Sequence, residues 1–335
     1  MLNILYDVPL FSYNTFGIDA TSSVFVETDD VAELADYISS ISDKSSVVLL
    51  GAGSNTLFVS ERCNTVIRPL IKGIEIIDES DDDVLLRVGA GEIWDYFVSW
   101  CVKRNYAGLE NLSYIPGTVG ACPIQNIGAY GAEAKDTLEK VETIEFATGK
   151  SVSFSKQQCM FNYRDSFFKQ NKGKYLITAV HFRLSKHFEP NVKYNDLQSE
   201  LSREANITID NVRQAIISIR KRKLPDPAQL GNAGSFFKNP TISVEKYREI
   251  QLLYPQSTMH PASNDACKIS AAWLILQCGW AGKRDGNVGT YHKQPLVLVN
   301  YGNATGMEIL SFAKKIMDSV KEKFNIELEM EVNVV

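Results

Sequence analysis

Paired cysteines, clustered histidines, long apolar runs and a basic excess are all missing from this 335-residue chain. Each absence closes a class of function. The six cysteines (Cys63, Cys101, Cys122, Cys159, Cys267 and Cys278) include no C-x-x-C pair and fit neither a disulfide framework nor a zinc site. Reduced, mostly buried thiols are expected. The four histidines form no H-x-x-x-H or H-E-x-x-H pattern, so no metal is expected. No stretch nears the roughly 20 apolar residues that span a bilayer, and MLNILYDVPLFSYNTFG lacks a basic n-region and a cleavage site. A cytoplasmic protein without membrane attachment is expected. The net charge of −5 gives no basic stripe for nucleic acid, although a local basic pocket can still hold an anion in an acidic protein. Internal repeats, low-complexity linkers and the G-x-x-x-x-G-K-[ST] phosphate loop are absent too.

What is there alternates between strand and helix signals, giving a mixed α/β (α+β) chain. SSVFVET reads as a strand. Asp29 and Asp30 precede a helix with Val31, Leu34, Ala35 and Ile38 at helical spacing, and SSVVLL is a buried strand ending in GAGSN. Residues 71–185 are rich in antiparallel strands. They include IEIIDES, VLLRVGAG, a hairpin over 141–154 and YLITAVHFRLS, with a helix from about Glu92 to Lys103. Val212, Ala215, Ile216 and Ile219 mark a helix that must stop before the prolines of LPDP. CKISAAWLILQCG reads as one apolar helix and QPLVLVN as a strand. Thr305-Gly306-Met307-Glu308 is a capping box opening a helix that turns Ile309, Phe312, Ala313, Ile316 and Val320 inward. IELEMEVNVV alternates strictly, as a strand would.

Two glycine-rich segments invite a ligand. GAGSN (51–55) follows a buried strand, and its backbone N–H groups can form an anion nest, or simply a tight turn. It lacks the third glycine of a dinucleotide fingerprint, as does VGAGEI (88–93). YIPGTVGACPIQNIGAYGAE (114–133) is too irregular for a helix or strand and too apolar for a disordered linker. Long irregular loops in compact domains are usually functional. This one either lines a flat, partly polar cofactor or packs on itself.

GNAGSFFKNP (231–240) contains a serine that a cap, a turn, a nucleophile or a proton donor would equally explain. No histidine is adjacent, so a Ser–His pair has no support in sequence. Arg164 in YRDSFFK offers a planar fork that matches a carboxylate, or a surface partner for Asp165. Glu327, Glu329 and Glu331 share one face by alternation, and periodicity does not choose among them.

Taken in order, NTFGIDA (14–20), LGAGSNTLF (50–58), the 114–133 loop, FNYRDSFFK (161–169), KLPDP (223–227), GNAGSFFKNP and LEMEV (328–332) resemble the UDP-N-acetylenolpyruvoylglucosamine reductases over nearly the whole chain. The resemblance implies an FAD-binding fold of the vanillyl-alcohol-oxidase type. Its two subdomains would cover residues 1–70 and 71–205, and a C-terminal α/β substrate domain residues 206–335. It implies NADPH as hydride donor, UDP-N-acetylglucosamine enolpyruvate as the small-molecule substrate, and a monomeric chain. FAD would lie on Gly51, Gly53, Ser54 and Asn55, on Pro116, Gly117, Thr118 and Gly120, and on Gln125, Asn126, Gly128, Ala129 and Tyr130, with Arg220 toward flavin or diphosphate. Thr118 and Ala121-Cys122 replace the serine-rich variants of the family loop, so backbone contacts are expected there. Ser235 would give a proton to C2 of an enolate stabilised by Arg164 and Glu331. Lys223 and Lys238 would meet phosphates, Asn239 and Gln294 the substrate or nicotinamide, and Tyr163 the substrate pocket. Tyr194 in NVKYNDL matches a tyrosine that closes over the nucleotide in the longer subclass. The competing readings are another flavoenzyme of this fold, such as an oxidase, and a nucleotide-binding protein without catalysis.

Overall fold

The structure is a computed structural model and describes residues 1–202, 204–261 and 265–335. Its chain divides into two compact units. One comprises Met1–Val8, Thr21–Ala52 and Arg62–Arg222; the other comprises Pro9–Ala20, Gly53–Glu61 and Lys223–Val335.

The first unit holds two sheets. In one, the order is Asn3–Pro9, Thr21–Thr28, Arg62–Pro69, Val47–Leu49. Thr21–Thr28 and Val47–Leu49 both run parallel to Arg62–Pro69. Parallel neighbours need a crossover, and the helix Val31–Ser40 is part of it. Asp30 caps that helix by accepting the amides of Ala32 (2.7 Å) and Glu33 (3.1 Å), and Leu34 and Ile38 are buried. The second sheet is antiparallel, in the order Ser151–Ser155, Leu138–Glu145, Tyr175–Ser185, Asp83–Gly89, Ile74–Glu79. Its first pair is the hairpin expected at 141–154, with Val141 opposite Phe154. The helix Trp94–Val102 buries Trp94 and Phe97, which meet Phe182 at ring separations of 6.0 and 5.1 Å. Ile144, Phe146 and Leu176 join the cluster of Val26, Leu34, Ile38 and Ile67, so one apolar cluster draws on both sheets. The helix Ile209–Lys223 buries Val212, Ala215, Ile216 and Ile219, as their spacing requires.

The second unit is built on the sheet Gly231–Ser235, Gln294–Asn300, Val288–Tyr291, Arg284–Asp285. The capping box at Thr305 is complete: Thr305 Oγ1 accepts the Glu308 amide at 3.2 Å and Glu308 Oε2 accepts the Thr305 amide at 2.7 Å. The helix Gly306–Phe324 buries Ile309, Phe312, Ala313, Ile316 and Val320. Two sequence expectations are corrected. CKISAAWLILQCG divides at Ser270. Ala266–Ile269 is a strand, and the helix Ala271–Gln277 starts where the Ser270 hydroxyl accepts the Trp273 amide; a serine that can cap competes with the helix interior. The terminal segment is extended, but its ladder contacts are a bridge from Met330 to Phe237 and the pair Asn333–Val334 with Thr56–Leu57. Alternation survives as burial, with Ile326, Leu328 and Val332 inside.

The six cysteines are free thiols, five of them buried. No helix among the described residues is long and apolar enough to cross a membrane.

On the antiparallel sheet, Glu142 accepts from Arg87 Nη2 (2.9 Å) and meets His181 Nε2 at 2.7 Å. Burial would raise the Glu142 pKa, but these partners outweigh it and bring it to about 2. Burial lowers the His181 pKa. A carboxylate with a depressed folded pKa contributes stability above its ordinary value of 4.5 and loses it as pH falls toward 2. A histidine held neutral adds to the loss, because below its ordinary 6.5 the unfolded chain binds the proton more readily. Stability should therefore decline in acid from near pH 6.5. Glu142→Gln should cost about 1–3 kcal/mol at pH 7 and progressively less toward pH 2, read by urea unfolding. A loss that is constant with pH would refute the assignment.

Candidate active site

In the first unit, residues 114–131 are held at their entrance by charge. The Asp95 carboxylate grips Arg213 with two bonds, 2.7 and 2.9 Å, and accepts the Tyr114 amide at 2.5 Å. Burial would raise the Asp95 pKa, yet the Arg213 fork and the Tyr114 amide outweigh it and the pKa is lowered. The Tyr114 carbonyl accepts Arg220 Nε at 3.0 Å, and Tyr114 itself is left-handed at φ +59°. Burial lowers the Arg220 pKa, opposed by Tyr130, Asp95 and Tyr114. An arginine stays charged under such a shift, so a half-buried cation stands beside the loop.

Glycines let the backbone segments close on each other. Trp94 N donates to Gly117 O (3.1 Å), Val119 N to Glu92 O (2.8 Å) and Gly120 N to Ala90 O (2.8 Å). A Cβ at Gly120 would stand 2.7 Å from the Ala90 Cβ, and one at Gly51 2.8 Å from Thr118 Oγ1. Pro116 is exposed, and Gly117, Thr118 and Gln125 are half-buried. Asn126 is fully buried, and its side chain is committed to the loop's own fold. It donates to Glu133 Oε2 (3.0 Å) and Asn162 O (3.1 Å) and accepts the Lys135 amide (3.0 Å). Contact with a ligand at this position falls to the backbone. Gly128–Ala129 pairs with Ala132–Glu133 through Tyr130 (φ +48°) and Gly131 (φ +82°), a two-residue hairpin with both central residues left-handed. Tyr194 is 42% exposed and meets the Tyr130 ring edge-on at 5.9 Å.

Arg164 is half-buried and left-handed (φ +51°). Its Nη2 donates to Gly128 O at 2.6 Å, and its guanidinium lies 5.4 Å from the Tyr163 ring centre. A Cβ at Gly128 would come within 2.9 Å of Arg164 Nη1. Asp165 receives the Gln170 side-chain amide at 2.8 Å, and Ser166 ties the segment to Ile124 O at 2.6 Å.

In the second unit, Ser235 ends the Gly231–Ser235 strand and is half-buried. The next carbonyl, Phe236 O, accepts the Glu331 amide at 2.8 Å, and Glu331 O accepts Asn55 Nδ2 at 3.2 Å. Asn55 O in turn accepts the backbone amide of Asn333 at 3.0 Å. The later half of GAGSN thus braces the Glu331 backbone. Gly53 there is obligatory: at φ +62° its Cβ would lie 2.0 Å from Tyr13 O, and Ser54 beside it is half-buried. The three terminal glutamates are now distinguishable. Glu327 pairs with Lys321 (2.6 Å) and Glu329 with Lys238, both glutamates exposed, whereas Glu331 is half-buried. Lys238 therefore enters as an ion-pair partner of Glu329. Asn239 Oδ1 accepts the Ala271 amide at 2.9 Å. Gln294 opens its strand, and Lys223 closes the Ile209–Lys223 helix. The proposed trio divides by unit: Arg164 is in the first, Ser235 and Glu331 in the second. Sequence reasoning missed Asp95, Arg213 and the buried Asn232, whose only signal was their presence near motifs.

The family model described as UDP-N-acetylenolpyruvoylglucosamine reductase, C-terminal domain, matches residues 226–335, and one described as FAD binding domain matches residues 22–155. A UDP-N-acetylenolpyruvoylglucosamine reductase of Bacteroides fragilis is 44% identical over 327 residues, covering 97% of this chain and 98% of the relative. The chain belongs to the UDP-N-acetylenolpyruvoylglucosamine reductase family. The family member of Amoebophilus asiaticus is 44% identical with 100% of both chains covered, and that of Chromobacterium violaceum 43% over 97% of each. A crystal structure of the Thermus caldophilus reductase superposes with a TM-score of 0.71 at 22% identity, covering 100% of this chain and 99% of that one. The FAD-binding fold expected from sequence is thus present.

The first unit's residues fit that cofactor. Among the described residues, the amides of Gly117 and Thr118 meet no backbone acceptor, Asn111 Oδ1 is buried without a partner, and Arg220 adds a half-buried cation. Free N–H donors and a cation suit a diphosphate. Gly51→Ala should leave stability near wild type, because a side-chain hydroxyl can yield, but weaken FAD affinity about tenfold. Gly53→Ala should cost roughly 3 kcal/mol or more, because a backbone carbonyl cannot yield. Flavin titration and urea unfolding of the two variants check this; equal stability losses would refute it.

Proposed function

We propose that this chain is an NADPH-dependent reductase that converts UDP-N-acetylglucosamine enolpyruvate to UDP-N-acetylmuramate. Identity of 40–44% to named reductases over nearly their whole length carries the reading. Bound FAD would supply the chemistry of hydride transfer, from NADPH to C3 of the enolpyruvyl group. The chain's own residues handle charge and the proton. The Arg164 guanidinium receives the substrate carboxylate, whose negative charge grows as C3 gains its electrons. The carbonyl of Gly128 holds that guanidinium in place. The Ser235 hydroxyl gives its proton to C2 and recovers one from solvent. A hydroxyl is a weak acid, so the enolate must lie within hydrogen-bond reach of it. Glu331 strengthens its hydrogen bonding as the enolate forms; its partial burial, against the exposure of Glu327 and Glu329, supports choosing it.

Lys223 meets the diphosphate or the nicotinamide-cofactor phosphate, with Asn239 and Gln294 on the substrate or nicotinamide and Tyr163 shaping the pocket. Lys238 would first have to leave Glu329. Tyr194, exposed beside Tyr130, closes over the nucleotide as in the longer subclass. The same reading makes the enzyme a cytoplasmic monomer.

The test is anaerobic. NADPH should bleach the flavin bands of the holoprotein, and the enolpyruvyl substrate should restore them without oxygen. Bands that return only with oxygen would refute the substrate. Ser235→Ala should leave bleaching intact and slow the return by roughly 10²–10⁴-fold. Arg164→Ala should slow the return while FAD stays bound; release of FAD would assign Arg164 to the cofactor.

A further inference from the structure

Ser235 does not sit on a regular strand. In the pairing with Gln294–Asn300, Asn232 lies opposite Val299 and Ser235 opposite Val297, so three steps on one strand match two on the other. The extra residue makes a bulge, which bends a strand and re-aims its side chains. Gly234 is left-handed at φ +69°, and a Cβ added to it would meet nothing within 4 Å. It is a glycine for its backbone angle, not for lack of room.

Asn232 holds this bend. It is 2% exposed. Its Oδ1 accepts the Gly234 amide at 2.9 Å, and its Nδ2 donates to Leu230 O at 2.8 Å and Pro225 O at 3.3 Å. Its backbone amide donates to Thr15 O at 2.9 Å. The strand lies close there, since a Cβ at Gly231 would stand 2.3 Å from Phe16 O. Asp226, beside Pro225, directs its carboxylate to the Ala228 amide at 3.0 Å. A side chain whose amide oxygen is engaged on the bulge and whose amide nitrogen reaches the KLPDP turn fixes the direction in which Ser235 leaves the strand.

We infer that Asn232 is a positioning residue for proton delivery: it locks the Gly234 bulge and so sets where the Ser235 hydroxyl points. The inference rests on Ser235 being the proton donor, and the experiment separates the two. FAD-loaded wild type, Asn232→Ala, Asn232→Asp, Gly234→Ala and Ser235→Ala are reduced anaerobically with NADPH, then mixed with UDP-N-acetylglucosamine enolpyruvate across pH 5–9. Asn232→Ala should be reduced by NADPH within about twofold of wild type and be reoxidised about 10–100-fold more slowly. Gly234→Ala, strained in its backbone but free of clash, should show the same selective slowing. Asn232→Asp carries its own signature. Its neutral carboxyl keeps the acceptor for Gly234 N–H and one donor, whereas its ionised form faces the Leu230 and Pro225 carbonyls with no donor. Reoxidation should therefore gain a fall with rising pH that wild type lacks, and the NADPH step should not. If Asn232→Ala does not fold, Asn232→Asp at low pH and Gly234→Ala decide the matter. Equal slowing of both steps, or no new pH dependence in Asn232→Asp, would overturn the inference. Slow Ser235→Ala with normal Asn232→Ala would overturn it alone. Fast Ser235→Ala would instead overturn the donor reading.

Discussion

Asp95 is a half-buried carboxylate that carries three hydrogen bonds at once. Two go to Arg213 and one to the Tyr114 amide. Arg213 is 7% exposed, so without Asp95 its charge would be left buried and unpaired, which is the costly way to break such a pair. The pair joins the Ile209–Lys223 helix to the Trp94–Val102 helix. In doing so it sets where Arg220, two turns further along, meets the Tyr114 carbonyl. A left-handed tyrosine is an uncomfortable conformation, and it persists because both its amide and its carbonyl are held by charged side chains. The irregular loop therefore starts from a fixed point.

Beyond that point the loop depends on close backbone approach and on side chains committed to its own fold. Asn126 satisfies three backbone and side-chain groups across the loop. The second unit uses the same device. Asn14 bonds Leu10 O, Ile18 O and the Ile18 amide, and Asn300 bonds Phe16 O and the amides of Gly302 and Ala304. Buried asparagines suit this work because one side chain offers two donors and an acceptor to backbone that no sheet satisfies.

These residues also mark where the sequence stops speaking. The Gly306–Phe324 helix, the 138–155 hairpin and the Ile209–Lys223 helix were legible because caps, turns and periodicity are local. The glycine loops were legible as places where something must approach. The choice among Glu327, Glu329 and Glu331 was not, since all three share one face and the difference is one of burial, Glu331 being half-buried and the other two exposed. Arg213 looked like one more charge on a helix rich in charge. Its partner is 118 positions away, and no pattern within a window reports that. Ser270 is a different case: its cap is a local bond to the Trp273 amide, yet the apolar residues on either side of it read together as one helix.

The order of the chain has a consequence for synthesis. The second unit is assembled from Pro9–Ala20, Gly53–Glu61 and Lys223–Val335. Gly231, Asn232 and Asn300 all rest on backbone of residues 15–17. On the ribosome, those early residues emerge long before the strands that will cover them. At about 5–20 residues per second, the NTFG segment must wait through more than two hundred further additions with its carbonyls facing water. The second unit cannot fold vectorially as it emerges, and a fragment cut at the start of the C-terminal family domain would lack the carbonyls that accept from Asn232 and Asn300.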